Sequence, residues 1–467
     1  MAREETIIRF GNDGWQARFD GAFTEENVAR LAEAIGLAWA ELELGAKVYV
    51  GYDTRYDSRF FAETVAGVIA SCGLRAVLSK GFSPTPAVAW TCAHDPEAIG
   101  AVIVTASSRS AEYGGILVRG SDGSECPRSF LETVEDLVSP NASSVRGGFR
   151  EEDLVSAYID ELVHGADARA IRAAAPKVVI DPMYGAARGH AAELLRRVGC
   201  EVVEIHSEEL EDFDSIHPEP ADPWTDKCAQ AVMAHGADFG LLLDGDGDRS
   251  AVIDETGTLL TPHENVAIAL KQLVEGRGRT GRVVTTLSSS ALVKKLAEKL
   301  GQGCTEVPVG FARLYREMLE GDVIMAAEEY GGIGVPEHLL ERDGLLACLL
   351  VVECVARTGK RPGELADEIE GELGRMCYTR RDVHLDAAEI QALRIVLPGL
   401  NPGSIAGKEA VDVSHADGLR MTFADGSWVL MRPSRTDAVV RVYSEAPSEH
   451  ERDAALEDAC NVIKAGI

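Results

Sequence analysis

The chain has 467 residues, of which 46% are apolar, enough for about three or four domains with sizeable buried cores. Its formal net charge of −30 argues against nucleic acid as a partner, because binding a phosphate backbone needs an excess of Lys and Arg. No apolar run reaches the length of a membrane span, and the charged start MAREETIIRF lacks the apolar core of a secretory signal, so a cytoplasmic protein without a membrane partner is expected.

In chain order, KVYVGYD at 47–53 is a short apolar run closed by turn residues, and SRFFAETVAGVIASCGL at 58–74 has helical periodicity up to Gly73. RAVLSKG at 75–81 predicts a strand, and after SPTPAVAWTCAHD the run AIGAVIVTAS at 98–107 predicts another. This alternation of strand and helix predicts a mostly parallel sheet covered by helices. The pattern restarts at 175–208, where APKVVIDPMYGAARGHAAELLRRVGCEVVEIHSE predicts strand, Gly-containing turn, helix and strand. ADFGLLLDGDGDRSAVIDETGTLLT at 237–261 predicts a buried strand, an acidic loop and a hairpin-like pair turned at ETGT. A third restart lies at GRVVTTLSSSALVKKLAEKLGQGCTEVPVG, 281–310, so three α/β modules run in series as a weak internal repetition. The stretch 411–446 is strand-dense and is followed by a closing amphipathic helix, which predicts a small α+β domain rather than a fourth module. The ten cysteines form no CxxC pair and mostly sit in apolar contexts, which predicts reduced, buried thiols.

The acidic loop LLLDGDGDRS carries the strongest chemical signal. Asp244, Asp246 and Asp248 alternate with glycines, which let the backbone fold tightly enough for the carboxylates to converge. Converging carboxylates repel unless a cation neutralises them, and hard oxygen ligands suit Mg²⁺ or Ca²⁺. An EF-hand competes, since Asp244, Asp246, Asp248 and Glu255 occupy loop positions 1, 3, 5 and 12; but position 6, which needs glycine, is Arg249, and the loop follows a strand. A solvated acidic turn explains poorly why the loop ends a fully apolar strand, where ligand sites of α/β sheets lie. The other polar loop is VTASSRSAEYGG, where Ser107 at a strand end is either a helix cap or a nucleophile on local sequence alone.

Taken together, four motifs in order resemble the α-D-phosphohexomutase superfamily, which includes phosphoglucomutases, phosphomannomutases and phosphoglucosamine mutases. TASSRS matches its phosphoserine loop at Thr105, Ala106 and Ser107; DGDGDR at 244–249 matches its metal loop in full; AEEYGG supplies Glu328, Gly331 and Gly332 of its sugar loop; and RPSRTDA keeps Arg432, Pro433, Ser434 and Thr436 of its phosphate loop. FGNDGW, GYDTR, SPTPAV, the RDG at 342–344 and RVYSEA are supporting matches. The resemblance implies three consecutive α/β/α mixed-sheet domains (1–148, 149–258 and 259–375) and a smaller C-terminal α+β domain (376–467) around a central cleft. It implies a phosphosugar mutase that interconverts hexose 1- and 6-phosphates of the glucose or mannose type, through a phosphoserine at Ser107 and a sugar 1,6-bisphosphate that also serves as activator. In these roles one Mg²⁺ per chain is held by Asp244, Asp246, Asp248 and Ser107. Arg249 stands beside it as a further cation, Glu328 and Tyr330 meet the sugar, and Arg432, Ser434 and Thr436 clamp the remote phosphate. The small-molecule phosphosugar is the expected partner, in a monomer or homodimer.

The departures cluster near the chemistry. Ser108, Arg109 and Ser110 replace the usual His-Asn-Pro, Leu117 replaces a lysine, Gln16 an arginine and Ala312 a lysine, while Tyr330 stands where serine is usual. Losing one preorganised cation typically costs about 3–4 kcal/mol of transition-state stabilisation. Arg109 and Arg435, inside two of the loops, are the expected replacement cations, with Arg18 and Arg313 next to vacated positions and His338 as a substitute acid/base. The same departures leave open a catalytically impaired homologue that binds a phosphosugar or a partner protein, or a mutase for an amino sugar or pentose phosphate.

Overall fold

A computed structural model describes residues 6–11, 14–434 and 438–465, with the side chain of Ala465 outside this set. Four sheets follow one another along the chain. The first has the order Trp15–Arg18, Tyr113–Gly120, Ala98–Val104, Lys47–Tyr52, Arg75–Ser79, Arg150–Glu152. Its last four strands are parallel, Tyr113–Gly120 is antiparallel to Ala98–Val104, and Trp15–Arg18 is antiparallel to Tyr113–Gly120. The edge strand Arg150–Glu152 carries this sheet past the boundary expected at 148, because Val77, Leu78 and Ser79 supply it with a parallel partner. The second sheet runs Ser250–Ile253, Phe239–Leu243, Lys177–Asp181, Glu201–Glu204, and the third runs Gly303–Val307, Arg282–Thr286, Val323–Ala327, Ile333–Val335, Leu339–Arg342.

The internal repetition is topological. In each of the three sheets a first strand pairs in parallel with the second on one side and the third on the other, and a fourth strand returns antiparallel beside the third. The loop between third and fourth strands therefore leaves the carboxyl end of a central strand in all three, the usual ligand-binding end of such sheets. These loops are 105–112, 244–249 and 328–332, the polar stretches singled out above. The predicted turn at ETGT closes only an isolated bridge between Ile253 and Leu259; the true hairpin of this region folds about the acidic loop itself.

The fourth sheet is antiparallel throughout: Cys377–His384, Val439–Ala446, Trp428–Pro433, Leu419–Phe423, Lys408–Ser414, Ser404–Ile405. Alternate residues Val429, Met431, Val440 and Val442 pack against Ile390 and Leu393 of the helix Ala387–Val396 and Leu456, Ala459 and Ile463 of Glu449–Ala465. This gives the α+β layer expected for the C-terminal piece.

The helix Gly344–Thr358, GLLACLLVVECVART, is apolar on all sides and is buried from Gly344 to Val355. It joins the second and third domains into one apolar core. Its cap, Asp343, accepts from the Leu346 amide at 2.9 Å and from the Tyr158 hydroxyl at 2.7 Å. The Gly344 amide donates to the Gly247 carbonyl at 3.2 Å, and a Cβ on Gly344 would lie 2.7 Å from that oxygen. The start of this helix thus fixes the acidic loop against the third domain, and the glycine is required by the close approach. No helix among the described residues is long and apolar enough to cross a membrane, and the ten cysteines are free, seven of them buried.

Candidate active site

Ser107 has φ of +49°, a left-handed conformation that costs a non-glycine residue about 1–3 kcal/mol and recurs at functional positions. The turn is held by Arg55. This buried guanidinium donates through Nη2 to the carbonyls of Ser107 and Arg109 at 2.5 and 2.6 Å, and through Nη1 to those of Ser110 and Tyr113 at 2.6 and 3.1 Å. Its Nε pairs with Asp53 at 3.0 Å, so all of its donors are used on one loop and the carboxylate that anchors it. The Ser107 amide donates to Thr105 Oγ1 at 2.9 Å, and the Ser107 hydroxyl donates to Asp244 Oδ2 at 3.0 Å. A lysine has no planar fork to span four carbonyls. Arg55→Lys is therefore expected to lower kcat about 100-fold by letting the serine shift, and limited proteolysis between 105 and 113 should quicken in parallel.

Asp244, Asp246 and Asp248 are fully buried, and one carboxylate oxygen from each lies within 4.8 Å of the others. Asp244 Oδ1 accepts from the amides of Asp248 and Arg249 at 2.9 and 3.1 Å, which leaves Oδ2 directed at Ser107. Asp246 Oδ2 accepts from the Thr85 hydroxyl at 2.7 Å, while its Oδ1 and Asp248 Oδ1 are buried with no hydrogen-bond partner. Burial and the repulsion of neighbouring carboxylates push Asp244 well above the usual carboxylate range and Asp246 up to about 6. Burial opposes ionisation of Asp248 too, but Arg342 and Arg249 hold it below its ordinary value, with Arg342 Nη2 at 2.7 Å from Asp248 Oδ2. Orphaned, inward-facing carboxylate oxygens of this hardness fit a small divalent cation.

A cavity of about 510 Å³ opens beside this cluster. The serine loop gives it Ser108, Arg109 and Ser110; the acidic loop Arg249; the third domain Glu328, Glu329, Tyr330 and Arg342; and the fourth domain Arg380 and Arg441. Arg342 Nη1 donates to Glu328 Oε2 at 3.0 Å while Nη2 pairs with Asp248, so one guanidinium ties the sugar loop to the acidic loop. The Tyr330 ring is 39% exposed and lies under the Arg380 guanidinium at 4.9 Å. Arg432 and Ser434 are buried and are not among the described residues that line the cavity. Arg432 donates to Asp417 Oδ2 at 2.7 Å, and the Ser434 amide to the Val439 carbonyl at 2.8 Å. Thr436 and Arg435 lie outside the described residues.

The replacement cations divide sharply. Arg109 lines the cavity and donates to Gln16 Oε1 at 3.1 Å, so its guanidinium reaches the position at which the family arginine is missing. Arg18 instead pairs with Asp20 and Glu112 on the surface, and Arg313 is not on the cavity wall. Leu117 is packed in an apolar cluster, and Ala312 is exposed. Ser108 Oγ accepts from Arg249 Nη1 at 3.2 Å. His338 does not serve the cleft: its Nε2 lies 2.9 Å from Asp343 Oδ2 and its ring faces Tyr158, because the chain turns it onto the cap of Gly344–Thr358. Sequence reading missed Arg55, Arg119, Arg380 and Arg441. Arg55 and Arg441 stand inside the quoted GYDTR and RVYSEA, and Arg119 lies two residues beyond Leu117 on the same strand, paired with Glu341 at 2.9 Å.

Known proteins of similar sequence and fold identify the family. Four family profiles match consecutively: phosphoglucomutase/phosphomannomutase alpha/beta/alpha domain I at 8–176, domain II at 156–257, domain III at 261–372 and the C-terminal domain at 385–461. A phosphoglucomutase/phosphomannomutase of Thermococcus kodakarensis is 32% identical over 96% of this chain and 97% of its own length. A phosphoglucosamine/phosphogalactosamine mutase of Sulfurisphaera tokodaii is 26% identical over 97% and 99%. The crystal structure of a Thermus thermophilus protein described as a phosphomannomutase superposes with a TM-score of 0.88 at 32% identity, covering 98% of this chain and 100% of that one. The chain thus belongs to the phosphoglucomutase/phosphomannomutase family of α-D-phosphohexomutases, isomerases of carbohydrate metabolism that act as intramolecular phosphotransferases.

Proposed function

We propose that the protein interconverts hexose 1-phosphate and hexose 6-phosphate of the glucose or mannose type, with Ser107 as the phosphorylated nucleophile. The observation that carries this reading is the buried hydrogen bond from Ser107 Oγ to Asp244, between two loops whose Ser108 and Arg249 line an arginine-rich cavity. Asp244, Asp246 and Asp248 hold Mg²⁺, which supplies charge neutralisation at the transferring phosphoryl group. Arg249 stands beside Ser107 as a second positive charge. Arg109, Arg380 and Arg441 receive the phosphate that is not being transferred, a task for which the planar fork of arginine is suited. Glu328, oriented by Arg342, accepts hydrogen bonds from sugar hydroxyls. Arg432, Ser434 and Thr436 support the phosphate end from the fourth domain. The enzyme acts in the cytoplasm as a monomer or homodimer and takes its first phosphoryl group from a sugar 1,6-bisphosphate.

Incubation with Mg²⁺, glucose 1,6-bisphosphate and, separately, glucose-, mannose- and glucosamine-1-phosphate tests the reading. A 6-phosphate product is expected from the first two; turnover of none of the three overturns it. An amino sugar is the second reading, favoured by the carboxylates Glu125, Glu219 and Glu329 on the cavity wall, which suit an ammonium group. Tyr330 bears on the choice. Tyr330→Ser removes bulk from the sugar side of the cavity, and the ratio of kcat/KM between glucose- and glucosamine-1-phosphate is expected to shift about tenfold.

A further inference from the structure

Transfer between Ser107 and a sugar hydroxyl moves a proton as well as a phosphoryl group, and the two side chains the family usually places here, a histidine and a lysine, are Ser108 and Leu117 in this chain. Ser108 is not basic and Leu117 is packed in an apolar cluster. Arginine is a poor base, which removes the cavity's guanidinium groups from consideration. Two of the cavity's carboxylates are committed to them: Glu328 to Arg342 and Glu341 to Arg119. Among the described residues no lysine lines the cavity, and His217 is its one histidine.

His217 arrives from the second domain on the segment 216–220, IHPEP. That segment is seated against the two loops that matter. The Pro218 carbonyl accepts from the Gly245 amide at 3.0 Å, and a Cβ on Gly245 would lie 2.4 Å from the Ser107 carbonyl oxygen and 3.0 Å from Pro218 Cγ. Gly245 is thus pinched between the serine turn and the residue after His217. The imidazole is stacked flat on Trp224, with centroids 5.0 Å apart and planes 5° from parallel. A ring so held has a defined plane, and it stands on the cavity wall rather than in a core.

We propose that His217 is the proton carrier of the mutase reaction. The proposal rests on the phosphoserine reading above. In the first half-reaction the sugar hydroxyl oxygen bonds to phosphorus and the phosphorus–Oγ bond of Ser107 breaks. The hydroxyl proton passes to His217 and from it to the Ser107 oxygen. The second half-reaction runs the same exchange backwards through the other phosphate, so no co-reactant is consumed. Imidazole suits the task because it both accepts and donates near neutral pH.

The test sets wild type beside His217→Ala, with free imidazole added to each. His217→Ala is expected to lower kcat about 100-fold or more, with KM within about threefold, and added imidazole is expected to restore part of the rate. Unchanged Mg²⁺ binding by calorimetry should accompany the loss, as evidence that the neighbouring acidic loop is intact. The proposal is overturned if His217→Ala keeps kcat within about threefold, if imidazole does not rescue it, or if Glu219→Gln produces the loss and His217→Ala does not. A wild type that turns over no phosphosugar removes the mutase reading and this one with it, whereas an active wild type with an unaffected His217→Ala removes only this one.

Discussion

Ser107→Ala is expected to lower turnover by at least about three orders of magnitude while leaving the fold and divalent-cation binding in place. The substitution deletes one atom, the oxygen that donates to Asp244 Oδ2. Losing that bond is worth about 1 kcal/mol of stability, small against a whole domain. The turn survives because it is held from behind by Arg55 through four carbonyls, none of which belongs to the deleted group. The loss of activity is therefore attributable to chemistry. Mass spectrometry after incubation with glucose 1,6-bisphosphate supplies the direct readout: wild type should carry phosphate on the peptide containing Ser107, and Ser107→Ala should carry none. Ser108 and Ser110 make this a demanding experiment, since both line the same cavity. Phosphate on either of them in the variant would move the nucleophile along the loop and defeat the assignment to Ser107.

The sequence disclosed the places of the chemistry better than its directions. The three aspartates were legible because spacing constrains them: alternate carboxylates with glycines between are set to converge, whereas Ser107 was open between helix cap and nucleophile on local sequence and was singled out only by the resemblance. Arg55 was passed over inside GYDTR because nothing local says that its side chain reaches a carbonyl 52 residues further along the chain. Arg432 was expected to clamp phosphate from its place in RPSRTDA; its Nε donates to Asp417, while Arg441, its register partner on the neighbouring strand and not singled out, lines the cavity. Which member of a cross-strand pair is tied down depends on a third chain segment, here the turn at 417, and that is a tertiary fact. The threefold repetition was faint in residues and plain in strand order, because a strand's place in a sheet tolerates any apolar sequence with the right period. Tertiary contacts also separated His338, which the sequence offered and which serves as a cap partner at Asp343, from His217, which it did not single out and which lines the cavity stacked on Trp224.

Asp246→Asn is expected to produce effects of opposite sign on the metal-free protein and on the working enzyme. In the metal-free protein three buried carboxylates crowd one another, and Asp246 is pushed up to about 6 by burial and by Asp248. A group whose folded pKa lies above its ordinary 3.8 lends most stability when protonated, so that contribution is lost as pH rises through about 6. Asparagine removes the charge, keeps an oxygen for the Thr85 hydroxyl, and offers amide protons to the neighbouring carboxylates. At pH 7.5 the metal-free variant should accordingly melt about 2–4 °C above wild type, the shift that about 1 kcal/mol gives a domain of this size. Mg²⁺ at about 100 times its dissociation constant stabilises the wild type by about 2.7 kcal/mol, and the variant, short of one charged ligand, should gain almost nothing. Lowering the pH below about 6 should weaken Mg²⁺ binding to the wild type as protons compete for Asp246, whereas the neutral side chain of the variant has no such proton to lose. Turnover should fall at least about 100-fold, matching wild type stripped by a chelator; added Mg²⁺ should restore the stripped wild type and leave the variant silent. If Asp246→Asn instead lowers the melting temperature of the metal-free protein and Mg²⁺ still raises it, the three aspartates form a structural acidic turn and the cation sits elsewhere.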